Sequence, residues 1–195
     1  MNDFLPKDYK EPEAASKYLQ KIPEGNTTIR ILDTPQLGWQ GWKDTYKDSK
    51  KISSPTRAKL DSEIGYKMEE FDNEIRDVKF IWAMTVYNYE EKAIQLWSIH
   101  QASIRKQISK LNQNQKWGNP NSYDITINRE GKELSNTVYS LQPNPKEDID
   151  PKIWADFLVW QEMFSWDNWW KSEDPFIRKE ELNLDKIEKE VKDDN

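Results

Sequence analysis

Between Trp39 and Lys59 the chain interleaves rings and cations. "GWQGWKDTYKDSKK" carries Trp39, Trp42, Lys43, Tyr46, Lys47, Lys50 and Lys51, and "SPTRAK" adds Arg57 and Lys59. From Lys43 to Lys59 six bases stand against two acids, a local excess of +4. Flat side chains stack on unpaired bases, and ammonium or guanidinium groups neutralise phosphates, so this pattern fits a polyanion with exposed bases. The plainer reading of the same residues is a solvated lysine loop beside core tryptophans.

Other chemistries lack their residues. There are no cysteines, which removes disulfides and Cys-ligated metals, and the one histidine, His100, has no Ser, Cys or second His in a recognisable setting. The pairs Glu69/Glu70 and Asp72/Glu74 sit in no metal-binding context, and neither a phosphate loop nor a dinucleotide fingerprint occurs. No cofactor or metal is expected, and an enzyme is the last reading.

The elements that position these residues follow from composition and period. A chain of 195 residues with 35% hydrophobic and 33% charged side chains fits one domain with an appended segment. Its core must lean on ten Trp, eight Tyr and six Phe. No run approaches about 18 apolar residues, and "MNDFLPKDYKEP" lacks the features of a signal peptide, so a soluble, cytoplasmic protein is expected. The "NTT" at Asn26 to Thr28 is then an accidental glycosylation match.

Residues 1–26, broken by Pro6, Pro12 and Pro23, read as an N-terminal arm. "TTIRILD" alternates as a strand with Ile29 and Ile31 inward and Arg30 outward, followed by a ragged strand and a mobile basic loop through "KDSKKISSPTRAK". "KFIWAMTVYNYEEKAIQLWSIHQ" reads as a hairpin, with Phe80, Trp82, Met84 and Val86 facing a barrel and Lys79, Ile81, Ala83, Thr85 and Tyr87 facing outward. Ile104, Ile108 and Leu111 then recur at helical spacing, and a second hairpin follows with Tyr123, Ile125 and Ile127 inward. A mainly β chain with added α, whose one helix is inserted before the last two strands, has the order of an OB-fold, a five-stranded Greek-key barrel, over residues 27–145.

Residues 146–195 form a third segment. Asp150 and Pro151 start a Trp-rich helix whose apolar stripe, from Ile153 through Trp166, is too wide to remain solvated. An acidic tail follows, and residues 151–195 hold twelve acids against seven bases.

"YLQKIPEGNTTIRILDTPQLGWQGW", "SPTR", "KFIWAMTVYNYEEKAIQLWSIHQASIRKQI" and "WGNPNSYDITINREGKE", in that order, resemble the single-stranded-DNA-binding proteins of tailed bacteriophages over about Tyr18 to Pro145. The resemblance implies an OB-fold that coats exposed DNA, cooperatively or as a homodimer, in replication, recombination and repair, within the host-cell cytoplasm. It implies an acidic C-terminus that contacts replication proteins. It also implies that Arg30, Trp39, Trp42, Lys43, Arg57, Lys79 and Tyr87 bind the strand. The chain departs from the family in lacking the cysteines of a structural zinc and in ending "KDDN", with "SEDPF" placed internally at Ser172 to Phe176. Two further readings share these features: an RNA-binding OB-fold protein, and an assembly factor working through the Trp-rich helix and acidic tail.

Overall fold

The computed structural model describes residues 15–60, 75–133 and 136–176. Eight strands alternate with three helices: β1 (Tyr18–Leu19), β2 (Gly25–Ile31), β3 (Gln36–Lys47), β4 (Lys50–Lys59), β5 (Ile75–Asn88), β6 (Ala93–Ile99), α1 (Ala102–Gln113), β7 (Tyr123–Glu130), β8 (Val138–Lys146), α2 (Pro151–Met163) and α3 (Trp166–Trp170). They form one open mixed sheet in the order β1-β6-β5-β2-β7-β8, with β3 paired to the far end of β5 and β4 paired to β3. Among the described residues only β1 and β6 run parallel. Among the described residues β6 and β8 do not pair; α1 packs between them, and its Gln107 bonds to the backbone of Tyr139 and Leu141 in β8. No helix among them is long and apolar enough to cross a membrane.

Strand alternation places two cores on the two sides of the sheet. On one side Ile29, Ile31, Met84, Val86, Tyr123, Ile125 and Ile127 meet Ile104 and Ile108 of α1, with Trp82 packed against them. This is the inward face read from the sequence, except that Phe80 lies outside this core, against Trp39 of β3. The opposite side is buried as well, because Leu32, Ile81, Ala83 and Leu96 lie under Ile153, Phe157, Trp160, Phe164, Trp169 and Trp170 of the C-terminal helices. The expectation that Ile81, Ala83 and Thr85 face outward onto an open surface is therefore corrected: all three are fully buried.

The C-terminal segment is not an appendage. Asp150 caps α2 by accepting from the Lys152 amide, and Pro151 occupies its first turn. The single Trp-rich helix expected over 153–170 is two helices, broken at Phe164 and Ser165, where Phe164 bridges to Phe176 and Ser165 caps α3. Trp170 lies flush on the sheet at Gly38, where a Cβ would overlap both its ring and the Ala58 carbonyl. At the other end, the expected arm over residues 1–26 already enters the sheet, through β1 on β6 and the start of β2 at Gly25.

Between β2 and β3 the chain bends at Asp33 while both strands continue along β5. Asp33 holds the bend by accepting from the Thr85 amide at 2.8 Å and its hydroxyl at 2.7 Å. Burial nevertheless pushes its carboxyl up to about 6 from 3.8, outweighing the Thr85 hydrogen bonds, which act downward. A raised acid binds its proton more tightly in the folded state. Its contribution is thus fully present below about pH 4 and is lost as pH rises through about 6, a change of roughly 3 kcal/mol. Asp33→Asn should abolish this loss, seen as urea-unfolding stabilities that no longer fall between pH 4 and 6. An unchanged slope would assign the dependence elsewhere.

Candidate nucleic-acid interface

The basic stretch expected as a mobile loop is a strand. Gly38 to Lys47 pair residue by residue with Lys59 back to Lys50, and Asp48 and Ser49 make the two-residue turn, both with positive φ. The outer half of β4 is solvated on both sides, so it shows no apolar alternation and its Ser, Pro and Lys content mimics a loop. The hairpin projects beyond the double core as an arm.

Residues opposite one another across antiparallel strands share a face, so the register sorts the candidate residues. One face carries Trp42 and Tyr46 with Arg57, Lys59 and Lys51, and β5 adds Lys79 opposite Gln40. The other carries Trp39, Lys43, Lys47 and Lys50. Tyr46, near the tip, is 73% exposed. On that outer half Asp44 accepts from Arg76 and Ser53 and pairs with Lys51 at 2.8 Å. The Arg76 hydrogen bonds, then those of Lys51 and Ser53, hold the Asp44 carboxyl well below the usual range. Lys51 is thus partly neutralised within the arm.

Nearer the sheet the face with Trp42 forms the wall of a cleft of about 420 Å³. Gln40, Trp42, Arg57, His100 and Trp169 line it, together with residues from the β1 region and β6, and no carboxylate is among them. Arg57 donates to Gln40 Oε1 at 2.9 Å and to the Trp169 carbonyl at 2.9 Å, and its guanidinium stands 4.2 Å from the Trp169 ring centre. Among the described residues it has no carboxylate partner, and burial lowers its pKa to about 10. Burial likewise pushes the His100 imidazole down from 6.5, and Lys79, Arg105 and Arg57 add to that shift with their charges. Among the described residues, His100 therefore sits in a positive field that no acid offsets.

The chain matches no family model and no curated protein.

Two expected binding residues lie elsewhere. Arg30, 2% exposed, pairs with buried Asp124 at 2.5 Å and donates to the Glu147 carbonyl, so its charge serves the fold. Tyr87 packs against Tyr89, with ring centres 5.0 Å apart, at the edge of the second core. Burial closes Arg30 off from a strand, whereas Tyr87 stays partly exposed. Lys59 reaches Asp167 at 3.5 Å on the exposed rim of α3. Trp39 meets Phe80 edge to face at 5.2 Å, and the Arg105 guanidinium stands 5.4 Å from the Phe80 ring centre. The sequence reading set His100 aside and missed Gln40, Arg105 and Trp169. Of these only Arg105, as a base beside aromatic strands, carried a signal in the sequence.

Proposed function

We propose that this protein binds single-stranded DNA, largely by backbone neutralisation and base stacking. The observation that carries the reading is the group of Arg57, Lys79 and Arg105 around His100, whose imidazole feels no acid among the described residues, next to the half-buried ring of Trp42, which makes no contact with another ring among them. Cations without acids attract phosphate, and an indole with an open side accepts a base. A duplex hides its bases and cannot use such a ring.

The strand path supports an OB-fold. β2 and β3 serve as one bent first strand, β5 and β6 as the second and third, and β7 and β8 as the last two, with α1 inserted before β7 and the barrel left partly open. In that fold the second and third strands and the loops beside them bind oligonucleotides. Here α2 and α3 cover the outer face of β5 and β6, which moves the free surface to the arm and its cleft. The resemblance to phage single-stranded-DNA-binding proteins agrees with this reading and extends it to coating of DNA during replication, recombination and repair.

Binding should be visible at the only histidine. A phosphate seated among Arg57, Lys79 and Arg105 offsets their repulsion of the imidazolium, so a saturating oligo-dT should raise the His100 pKa, followed by proton NMR. An unchanged titration would remove the cleft from the interface.

The assembly-factor reading keeps one observation in its favour: Trp154, Leu158 and Val159 on α2 are 44%, 48% and 50% exposed. Because α2 and α3 complete a core, deleting residues 151–195 would strip the sheet as well as remove a surface. Deleting residues 177–195 alone keeps every described residue of that core and tests the tail separately.

A further inference from the structure

A second cleft, of about 380 Å³, opens where the β2–β3 bend meets α1. That volume lies within the range of small-ligand sites. Its floor is Ile31, Ile108 and Pro120, all buried, and the half-buried indole of Trp82 forms one wall. The polar rim consists of Thr34, Ser109, Asn112, Asn119 and Asn121. No ionisable side chain lines the cleft.

These groups define a ligand. An uncharged wall excludes phosphate as the group bound there, and an indole beside an apolar floor favours a flat ring. Three carboxamides offer donors and acceptors together, the combination that matches the edge of a base. Asn119 uses its Oδ1 to accept from the Asn121 amide at 3.1 Å, leaving its NH₂ group as donor. The side chains of Asn112 and Asn121 make no hydrogen bond among the described residues, so both retain donor and acceptor capacity. Trp82 also follows Phe80 on the same face of β5, and Phe80 touches Trp39 of the arm. A row of rings thus runs from the arm to this cleft.

We infer that the cleft beside Trp82 receives one nucleobase of the bound strand and reads its hydrogen-bonding edge, giving the protein a base preference. This rests on the single-strand reading and adds to it, since stacking and phosphate contacts along the arm discriminate little between bases. A carboxamide pair on a base edge discriminates by about fivefold to a hundredfold.

Oligo-dA, oligo-dC and oligo-dT of equal length, titrated at one salt concentration, provide the test with the wild type and Asn112→Ala/Asn121→Ala. Both asparagines are at least partly solvated, and a thermal melt checks that the variant folds. The wild type should prefer one base by at least about fivefold. In the variant the three affinities should converge, mainly through loss at the preferred oligomer. Wild-type affinities that agree within about twofold, or a preference unchanged in the variant, would overturn the base pocket while leaving single-strand binding in place. If no oligomer binds the wild type, the underlying reading fails and the pocket with it. Should the variant melt early, Ser109→Gln, which narrows the cleft from its rim, should likewise flatten the preference; retention of the full preference there counts against the pocket.

Discussion

Arg30→Met should lower the unfolding free energy by about 3–5 kcal/mol, the usual cost of removing one partner from a buried ion pair. Asp124, 6% exposed, would keep the Tyr89 hydroxyl at 3.1 Å but lose the guanidinium that compensates its charge. The joined strands make the loss structural, since Arg30 and Asp124 lie opposite each other on β2 and β7. Asp124→Leu added to Arg30→Met should recover much of the stability, because a matched apolar pair avoids the stranded carboxylate. Guanidinium-chloride denaturation measures all three proteins. A loss below about 1 kcal/mol for the single change would mean that Asp124 finds water or another partner. Single-strand affinity of the folded fraction should stay unchanged, in contrast to the expectation that Arg30 touches DNA.

Trp42→Ala should act in the opposite way, sparing the fold and weakening single-strand binding. Loss of one stacking ring costs about 1–3 kcal/mol of affinity, or roughly 5- to 150-fold. Trp169→Ala is the counterpart: its ring is 2% exposed, packs on Trp166 and Trp170 and supports Arg57, so its removal should cost about 3–5 kcal/mol of stability. Thermal melts with oligo-dT titrations of both variants separate the two roles. Equal affinity for Trp42→Ala and the wild type would place the stacking surface elsewhere, with Trp39 and Phe80 the next candidates.

The inward face was legible because large apolar side chains recur on it at every second position. Ile29 with Ile31, Met84 with Val86, and Ile125 with Ile127 all enter the first core, and Ile104 and Ile108 sit on the helix stripe that covers it. What alternation cannot show is a second layer. Ile81 and Ala83 read as outward because nothing in β5 announces that α2 and α3, about 70 residues later in the chain, return to cover them. Arg30 read as a surface cation for a related reason: its partner Asp124 is 94 residues away in sequence. The arm was half legible. Its ring and cation content was plain, but the pairing register decides that Trp42 and Arg57 share a face while Trp39 and Lys43 share the other, and register is a property of two strands together.

The central claim meets its most direct test in intrinsic tryptophan fluorescence titrated with oligo-dT and with a duplex of equal length, at low and at moderate salt. With Trp42 beside this group of cations, oligo-dT should quench the emission and bind much more tightly than the duplex, and its affinity should fall steeply as salt rises. Duplex binding as tight as single-strand binding at the same salt, or no quenching by oligo-dT at any salt, would contradict the account.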